Sequence, residues 1–583
     1  MVHCAVIQSC VICDCCLFYK NKIQNIKISR RLLMNINQKA DIVISSNAVF
    51  TGLADKPFPA YIAIINNKIA AIGSEIEINP FIGTDTKVFH YADQLIMAGF
   101  HDFHLHMLMG SIAEESVFLA DASSEEDVLK MVVDFTNSRP DDPWIIGFSW
   151  DQGNWDNKKL PNRSALDRIL PERPAILFHM EGHYAWVNSK ALEIASINRN
   201  TDNPSYGIIA KDENGEPTGI LYETAIALVS NHAFNFSRER RMKMMKNFLG
   251  QAASLGVTSV NDLYGSPAME KLQDFELFSD LDKNGELTAR IHLSPPLNDD
   301  IERAKQLRDT YASDKLRVSG VKQFVDGVIT GYTAYLVEPY SDKPETFGET
   351  AVSPDTITKW IVEADREGFQ IRIHAIGDGA IRLALDAFEE AQKKNGKRDA
   401  RHCVEHVEVI HPDEIARFQK LGVIASMQPE HLGLGKEQRK TYVSRIGKER
   451  EPFIFAMKTL KDSGAMLAFG TDYPIVQLNP MLGIYRALTR IGYDGSPTEG
   501  WNPQERLSLS EVLRDYTLSP AYGSFREEEL GTLEVGKLAD LVVLNRNLFE
   551  ISVEEIRDVR VVLTMVDGSI VFQDDLACKK VPL

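Results

Sequence analysis

Met97–Ser111 reads MAGFHDFHLHMLMGS and places His104 and His106 two residues apart on a short apolar segment. On a β-strand, residues i and i+2 share a face, so Asp102, His104 and His106 point one way and Phe103 and Leu105 the other. Neutral imidazole is the commonest ligand for zinc and similar ions, so the pair supplies half of a metal site without any loop movement. Two partly buried, hydrogen-bonded histidines would give the same H-x-H, and the rest of the chain has to separate the two readings.

On either side of this stretch the texture is that of short strands. Upstream run ADIVISSNAVFTG, YIAIINNKIAAIG with an Asn66-Asn67 turn, and TKVFHYADQLIMAGF; the far end repeats the pattern in LADLVVLNR and DVRVVLTMVDGSIVF, which turns at Asp567-Gly568. Strands at both ends predict a small flanking β-sandwich built from both termini, residues 34–97 with 528–583. Between them, helix-period runs alternate with the apolar runs GVTSVND, RIHLSPP, RVSGVKQFVDG, FQIRIHAIGD, ARHCVEHVEVI, GVIASMQPEH and MLAFGTD. About eight such βα units predict an α/β fold with a (β/α)8, TIM-like barrel over 98–527. Ile381, Ala384, Leu385 and Phe388 follow the spacing of an amphipathic crossover helix after Gly377-Asp378. Roughly 140 residues separate the H-x-H strand from GVTSVND, far more than an ordinary loop, so an inserted lid or substrate subdomain is expected at about 112–250.

The 583 residues suffice for two or three domains, and 44% hydrophobic with 25% charged residues is an ordinary globular composition. A formal charge of -18 opposes nucleic acid or an anionic membrane as partner and leaves a small molecule as the expected ligand. No membrane span is expected. Of seven cysteines, Cys4, Cys10, Cys13, Cys15 and Cys16 crowd the head, leaving Cys403 and Cys578 for the body. A disulfide framework is therefore not expected, and a cytoplasmic location fits. The head has no basic segment before its apolar part, which Asp14 interrupts, unlike a signal peptide. Strand texture begins soon after Met34, so residues 1–33 are expected to be a disordered extension or to follow a spurious upstream start.

In a barrel, reactive side chains gather at the C-terminal strand ends. His374 in FQIRIHAIGD, His406 in CVEHVEVI and Asp472 in LAFGTDYP are ligand-type residues at such positions. With His104 and His106 they are able to hold one or two divalent ions. Lys322 alternates with Gly320 and Phe324 on an apparently lumenal face, where a free ammonium is expensive to desolvate. An ion pair with Asp326 or another carboxylate is one resolution; a lysine carboxylated by carbon dioxide, acting as an anionic oxygen ligand, is the other. His183 and Glu223 in the insertion are candidate substrate-binding residues, or a satisfied interior pair. Trp150, Asp151 and Trp155 are candidate pocket residues, as are Gln428 and His431 of MQPEH. His402 and His411 are expected to be structural or exposed, and the Met242, Met244, Met245, Phe248 run to pack in the core.

The order of GFHDFHLH, LPNRSALDRILPERPAILF, GHYAWVNSKAL, GILYE, GVTSVND, VKQFVDG, HAIGDGA, VEH, MQPEH, FGTDYP and GTLEVGKLADLVVL, from about Ala40 to Phe572, resembles the amidohydrolase superfamily in its amidohydrolase-3, YtcJ-like branch. The resemblance implies a barrel hydrolase with a flanking β-sandwich, in which His104, His106, Lys322, His374, His406 and Asp472 form the metal and catalytic set. It implies hydrolysis of a non-peptide carbon-nitrogen bond through a metal-activated water, with Asp472 moving the proton, zinc as the default ion, and a possible homodimer. An esterase or lactonase, or a catalytically silent binding barrel, is the alternative. His101 and Phe103 depart from the branch, which usually carries an apolar and a small residue there.

Overall fold

The computed structural model describes residues 38–265 and 272–574. The reading of residues 1–33 lies outside the described residues. No helix among those described is long and apolar enough to cross a membrane.

A four-stranded and a five-stranded parallel sheet share one interrupted strand, Leu316–Val318 and Gly320–Phe324, and together make eight barrel strands. In order the others are Phe100–Leu105, Val257–Leu263, Arg290–Ser294, then Gln370–Ala375, Cys403–His406, Ile424–Met427 and Met466–Phe469. The register runs on across the break: Ser319 donates its amide to Leu293, and Lys322 to Pro295, so the fourth strand bonds its neighbours on both sides. The circle closes where the eighth strand meets the first, through a parallel bridge between Tyr473 and Leu105. Gly470 makes that seam possible, because a Cβ there would lie 2.4 Å from the His104 amide. The crossover helix Asp378–Asn395 buries Ile381, Ala384, Leu385 and Phe388 completely, as its spacing requires.

The insertion carries its own six-stranded mixed sheet, spanning Val117–Phe118 to Pro217–Glu223. Trp150, Trp155 and Trp186 pack in a separate core within it. Helix Arg238–Ser254 then returns the chain to the second barrel strand and buries Met244, Met245 and Phe248. The terminal strands form one eight-stranded sheet, in which Leu541–Leu544 pairs antiparallel with Leu95–Ala98 and joins the two chain ends. Strand Ile42–Phe50 is irregular between Ser46 and Val49: its first half pairs with Lys87–His90 and its second half with Leu95–Ala98, so the sheet forks there. The last hairpin turns at Asp567 and Gly568 with φ of 55° and 72°, the left-handed pair that an Asp-Gly turn favours.

One buried ion pair fastens the terminal sheet to the barrel. Arg290, at the start of the third barrel strand, donates Nε to Asp540 Oδ2 (2.7 Å) and Nη2 to Asp540 Oδ1 (3.0 Å) and Asp567 Oδ1 (3.1 Å). Its side chain is 1% exposed. Asp540→Ala leaves that guanidinium buried without its bidentate partner, so a loss of about 3–5 kcal/mol is expected, read as a lower thermal denaturation midpoint. Arg168→Ala, which breaks an exposed pair with Glu126, should leave the midpoint nearly unchanged.

Candidate active site

The barrel brings His104, His106, Lys322, His374, His406 and Asp472 to one cavity of about 230 Å³. His104 is the penultimate residue of the first strand and His106 caps the helix that follows, Met107–Glu114. Both ring orientations are set from behind. His104 Nδ1 donates to Glu405 Oε2 (2.8 Å), and His106 Nδ1 donates to the Leu263 carbonyl (2.8 Å). A carbonyl only accepts, so the neutral His106 ring carries its proton on Nδ1 and turns a lone pair on Nε2 outward. That Nε2 lies 3.1 Å from Asp472 Oδ1, and His104 Nε2 lies 3.3 Å from the same oxygen. Neutral imidazole lone pairs and a carboxylate oxygen facing one another repel, and a cation among them, a metal ion or a proton, removes that repulsion.

His406 adds a third nitrogen: ligand atoms of His104, His406 and Asp472 all lie within 4.8 Å of one another. Nδ1 of His406 is buried without a hydrogen-bond partner. His374 meets it edge-on, its ring centroid 4.4 Å from that of His406. Burial holds both rings well below the usual histidine pKa, so they are neutral, as ligands must be. At His104 burial opposes the charge, but Asp472 and Glu405 outweigh it and raise the pKa. The donor set of imidazoles and a carboxylate therefore fits a divalent cation such as zinc.

Lys322 is completely buried and Nζ has no hydrogen-bond partner. It lies 3.7 Å over the Phe324 ring, and burial pushes its pKa down to about 7. The ion pair with Asp326 is not formed: Asp326 instead accepts the backbone amides of Tyr335, Ile376 and Gly377, at 2.9, 3.0 and 2.9 Å. No carboxylate among the described residues comes within ion-pair distance of Lys322. Two of the clustered residues sit in left-handed backbone, His406 at φ 74° and Asp472 at φ 62°. Such conformations are strained for side chains with a Cβ and persist where the surroundings impose them. At Asp472 the restraint is visible, since its amide donates to the His104 carbonyl at 2.6 Å.

Among the candidate substrate contacts, His183 and Glu223 reach the cavity as a pair, with His183 Nδ1 2.9 Å from Glu223 Oε2. Burial opposes the charge on His183, and Glu223 overrides it to raise the pKa. Trp150 does not line the cavity: it is fully buried in the insertion's own core, donating Nε1 to the Leu177 carbonyl, because an indole of that size finds more apolar surface there. Gln428 is not a cavity wall either, whereas His431 stands beside the cluster, with a ring nitrogen within 4.8 Å of ligand atoms of His406 and Glu408. The Gln428 amide lies behind His104, 3.4 Å from Nδ1, and His431 Nε2 lies 3.7 Å from Asp472 Oδ2. His402 is held between Asp365 and the Ile371 amide, and His411 caps the helix Pro412–Leu421; both are structural.

The supporting layer escaped the sequence reading. Arg372 donates Nε to Glu405 Oε1 (2.7 Å) and Nη2 to the Phe103 carbonyl (2.6 Å), while Glu405 holds His104. All three side chains are buried. Arg372 lies two residues before His374, and Glu405 directly before His406. A charge inside an apolar strand was the available signal, since it demands a partner. Phe103 now has a role, lying 4.0 Å beneath the Arg372 guanidinium against Gly523, where a Cβ would meet its ring at 2.3 Å. His101 bonds Asn261 (2.7 Å) and stacks on His292, with burial pushing its pKa down to about 3.

Glu405→Gln removes the anion behind His104 and is expected to weaken metal affinity about 10- to 100-fold, measured by competition with a chelating dye. Unchanged affinity would show that Glu405 only neutralises Arg372.

Comparison with known proteins agrees with this geometry. A profile described as Amidohydrolase family matches residues 92–572. The chain is 32% identical over 521 residues to Protein LONG AFTER FAR-RED 3 of Arabidopsis thaliana, covering 88% of each chain. It is 29% identical to the Putative amidohydrolase YtcJ of Bacillus subtilis (82% of this chain, 89% of the relative). It is 26% identical to the N-substituted formamide deformylase of Arthrobacter pascens (91% and 98%). Among solved structures, an uncharacterized metal-dependent hydrolase from Pyrococcus furiosus superposes with a TM-score of 0.67 at 27% identity, over 87% of this chain and 99% of that one. With the profile spanning most of its length and a candidate metal-ligand cluster at the barrel mouth, this chain belongs to the amidohydrolase family.

Proposed function

We propose that the protein hydrolyses a carbon-nitrogen bond in a small amide-like molecule. The observation that carries this is the convergence of the His104 and His106 Nε2 atoms on Asp472 Oδ1, a spacing that suits ligands around one cation. Similarity along nearly its full length to a protein named for deformylating N-substituted formamides supports the amide class. A divalent ion held by His104, His106, His406 and Asp472, with His374 beside them, supplies Lewis-acid activation of water and of the substrate carbonyl. Zinc is the default.

The chain's own groups do the rest. Asp472 turns Oδ1 to the imidazoles, which leaves Oδ2 to accept the proton of the attacking water and return it to the leaving nitrogen. His183, anchored by Glu223 through Nδ1, keeps Nε2 for the substrate oxygen. Lys322, buried and unpaired, is suited to react as the neutral amine with carbon dioxide, forming an N–C bond and releasing a proton. The resulting anionic oxygens would face the cavity as ligands.

Asp472→Asn keeps an oxygen near the imidazoles but cannot take a proton. With metal content verified, kcat on an N-formyl or N-acyl amine should fall about 100- to 10,000-fold. A matched ester assayed alongside separates amide hydrolysis from ester hydrolysis; a strong preference for the ester would replace the reading. Lys322→Ala should lose activity and bound metal together, with partial recovery on adding short carboxylic acids that occupy the vacated space. Full activity in that variant would remove Lys322 from the ligand set.

A further inference from the structure

The cavity lies between the barrel mouth and the insertion, and its carboxylates can be accounted for one by one. Asp472 faces the imidazoles, Glu223 is engaged by His183, and Asp326 is saturated by backbone amides. Glu181 is the exception. It stands in the turn between strands Ala175–His179 and Tyr184–Val187, and its neighbour Gly182 approaches Ile475 on the loop that carries Asp472. The Thr330 hydroxyl bonds Oε1, but Oε2 is buried with no hydrogen-bond partner. His179 Nδ1 lies 3.7 Å from Oε2 yet accepts the Glu181 amide, so it carries no proton to offer. Among the described residues no arginine lines the cavity.

We infer that Glu181 forms a subsite for a protonated amine or N–H-rich group, so that the substrates are small amides bearing a cationic or strongly donating nitrogen away from the scissile bond. A buried carboxylate oxygen without a donor is costly, and an ammonium supplies a charge-assisted hydrogen bond that compensates it. A substrate carboxylate in the same place would meet Glu181 with no guanidinium to balance it. N-acyl amino acids with a free carboxylate are accordingly excluded. This selectivity rests on the amide-hydrolase reading of the same cavity.

The test uses the metal-loaded full chain and three N-acyl amines of equal length ending in a primary ammonium, a methyl group or a carboxylate. The expected order of kcat/KM is ammonium, methyl, carboxylate, with about 10- to 100-fold between the first two, expressed mainly in KM. Glu181→Gln should collapse that gap, leaving kcat on the methyl-ended substrate and the metal content within a few fold. Equal rates, a preference for the carboxylate, or an undiminished gap in Glu181→Gln would each overturn the subsite. The ranking by the unaltered protein decides on its own if the variant does not fold. If no amide is cleaved, the amide reading fails separately, and calorimetric binding of the same three compounds still tests the subsite: tighter binding of the ammonium compound supports it, and its absence overturns it.

Discussion

Asp102 accepts the Thr471 hydroxyl at 2.6 Å and the Thr471 amide at 3.0 Å, while Asp472 returns its own amide to the His104 carbonyl. This lock between the first and last barrel strands closes the circle and sets the reactive geometry together. It holds the carboxylate of Asp472 against the two imidazoles of the first strand, from residues more than three hundred positions apart in sequence. Burial pushes the Asp102 pKa up to about 6, opposed by those same hydrogen bonds. The same hydrogen bonds tie the closure of the barrel to the geometry of the site.

The site is a set of constraints applied from outside the cavity. Arg372, Glu405 and His104 form a buried chain in which each group satisfies the next, and removing one partner leaves a charge with nothing to face. Phe103 lies beneath that chain and Gly523 makes room for its ring. The residue at position 103 that departs from the family pattern is thus accommodated by packing below the ligands and does not displace them. The insertion contributes from above: its turn residues Glu181 and His183 reach a cavity whose floor is entirely barrel.

Much of this was legible in the chain. The alternation of apolar runs and helix-period segments specified the barrel, because a parallel strand buried on both faces and its crossover helix have different periods. The Asp567-Gly568 turn and the burial of Ile381, Ala384, Leu385 and Phe388 follow from local rules. The clustered residues were visible because histidine, lysine and aspartate at the ends of apolar strands have few other reasons to be there. Trp150 and Gln428 do not line the cavity because proximity to a motif says nothing about which side of a wall a side chain faces. That depends on how two sheets pack.

Sequence by itself determined which elements form, that both chain ends share one sheet domain, and which residue types offer metal ligands at strand ends, since each of these is written in short-range periodicity and spacing. Only the tertiary structure decided which nitrogen of each imidazole faces the cavity, that Lys322 has no counter-ion, and that Glu405 rather than a nearer acid supports His104. It alone left one oxygen of Glu181 open. Those are consequences of desolvation and hydrogen-bond saturation among residues distant in the chain, and no local pattern encodes them until the barrel closes.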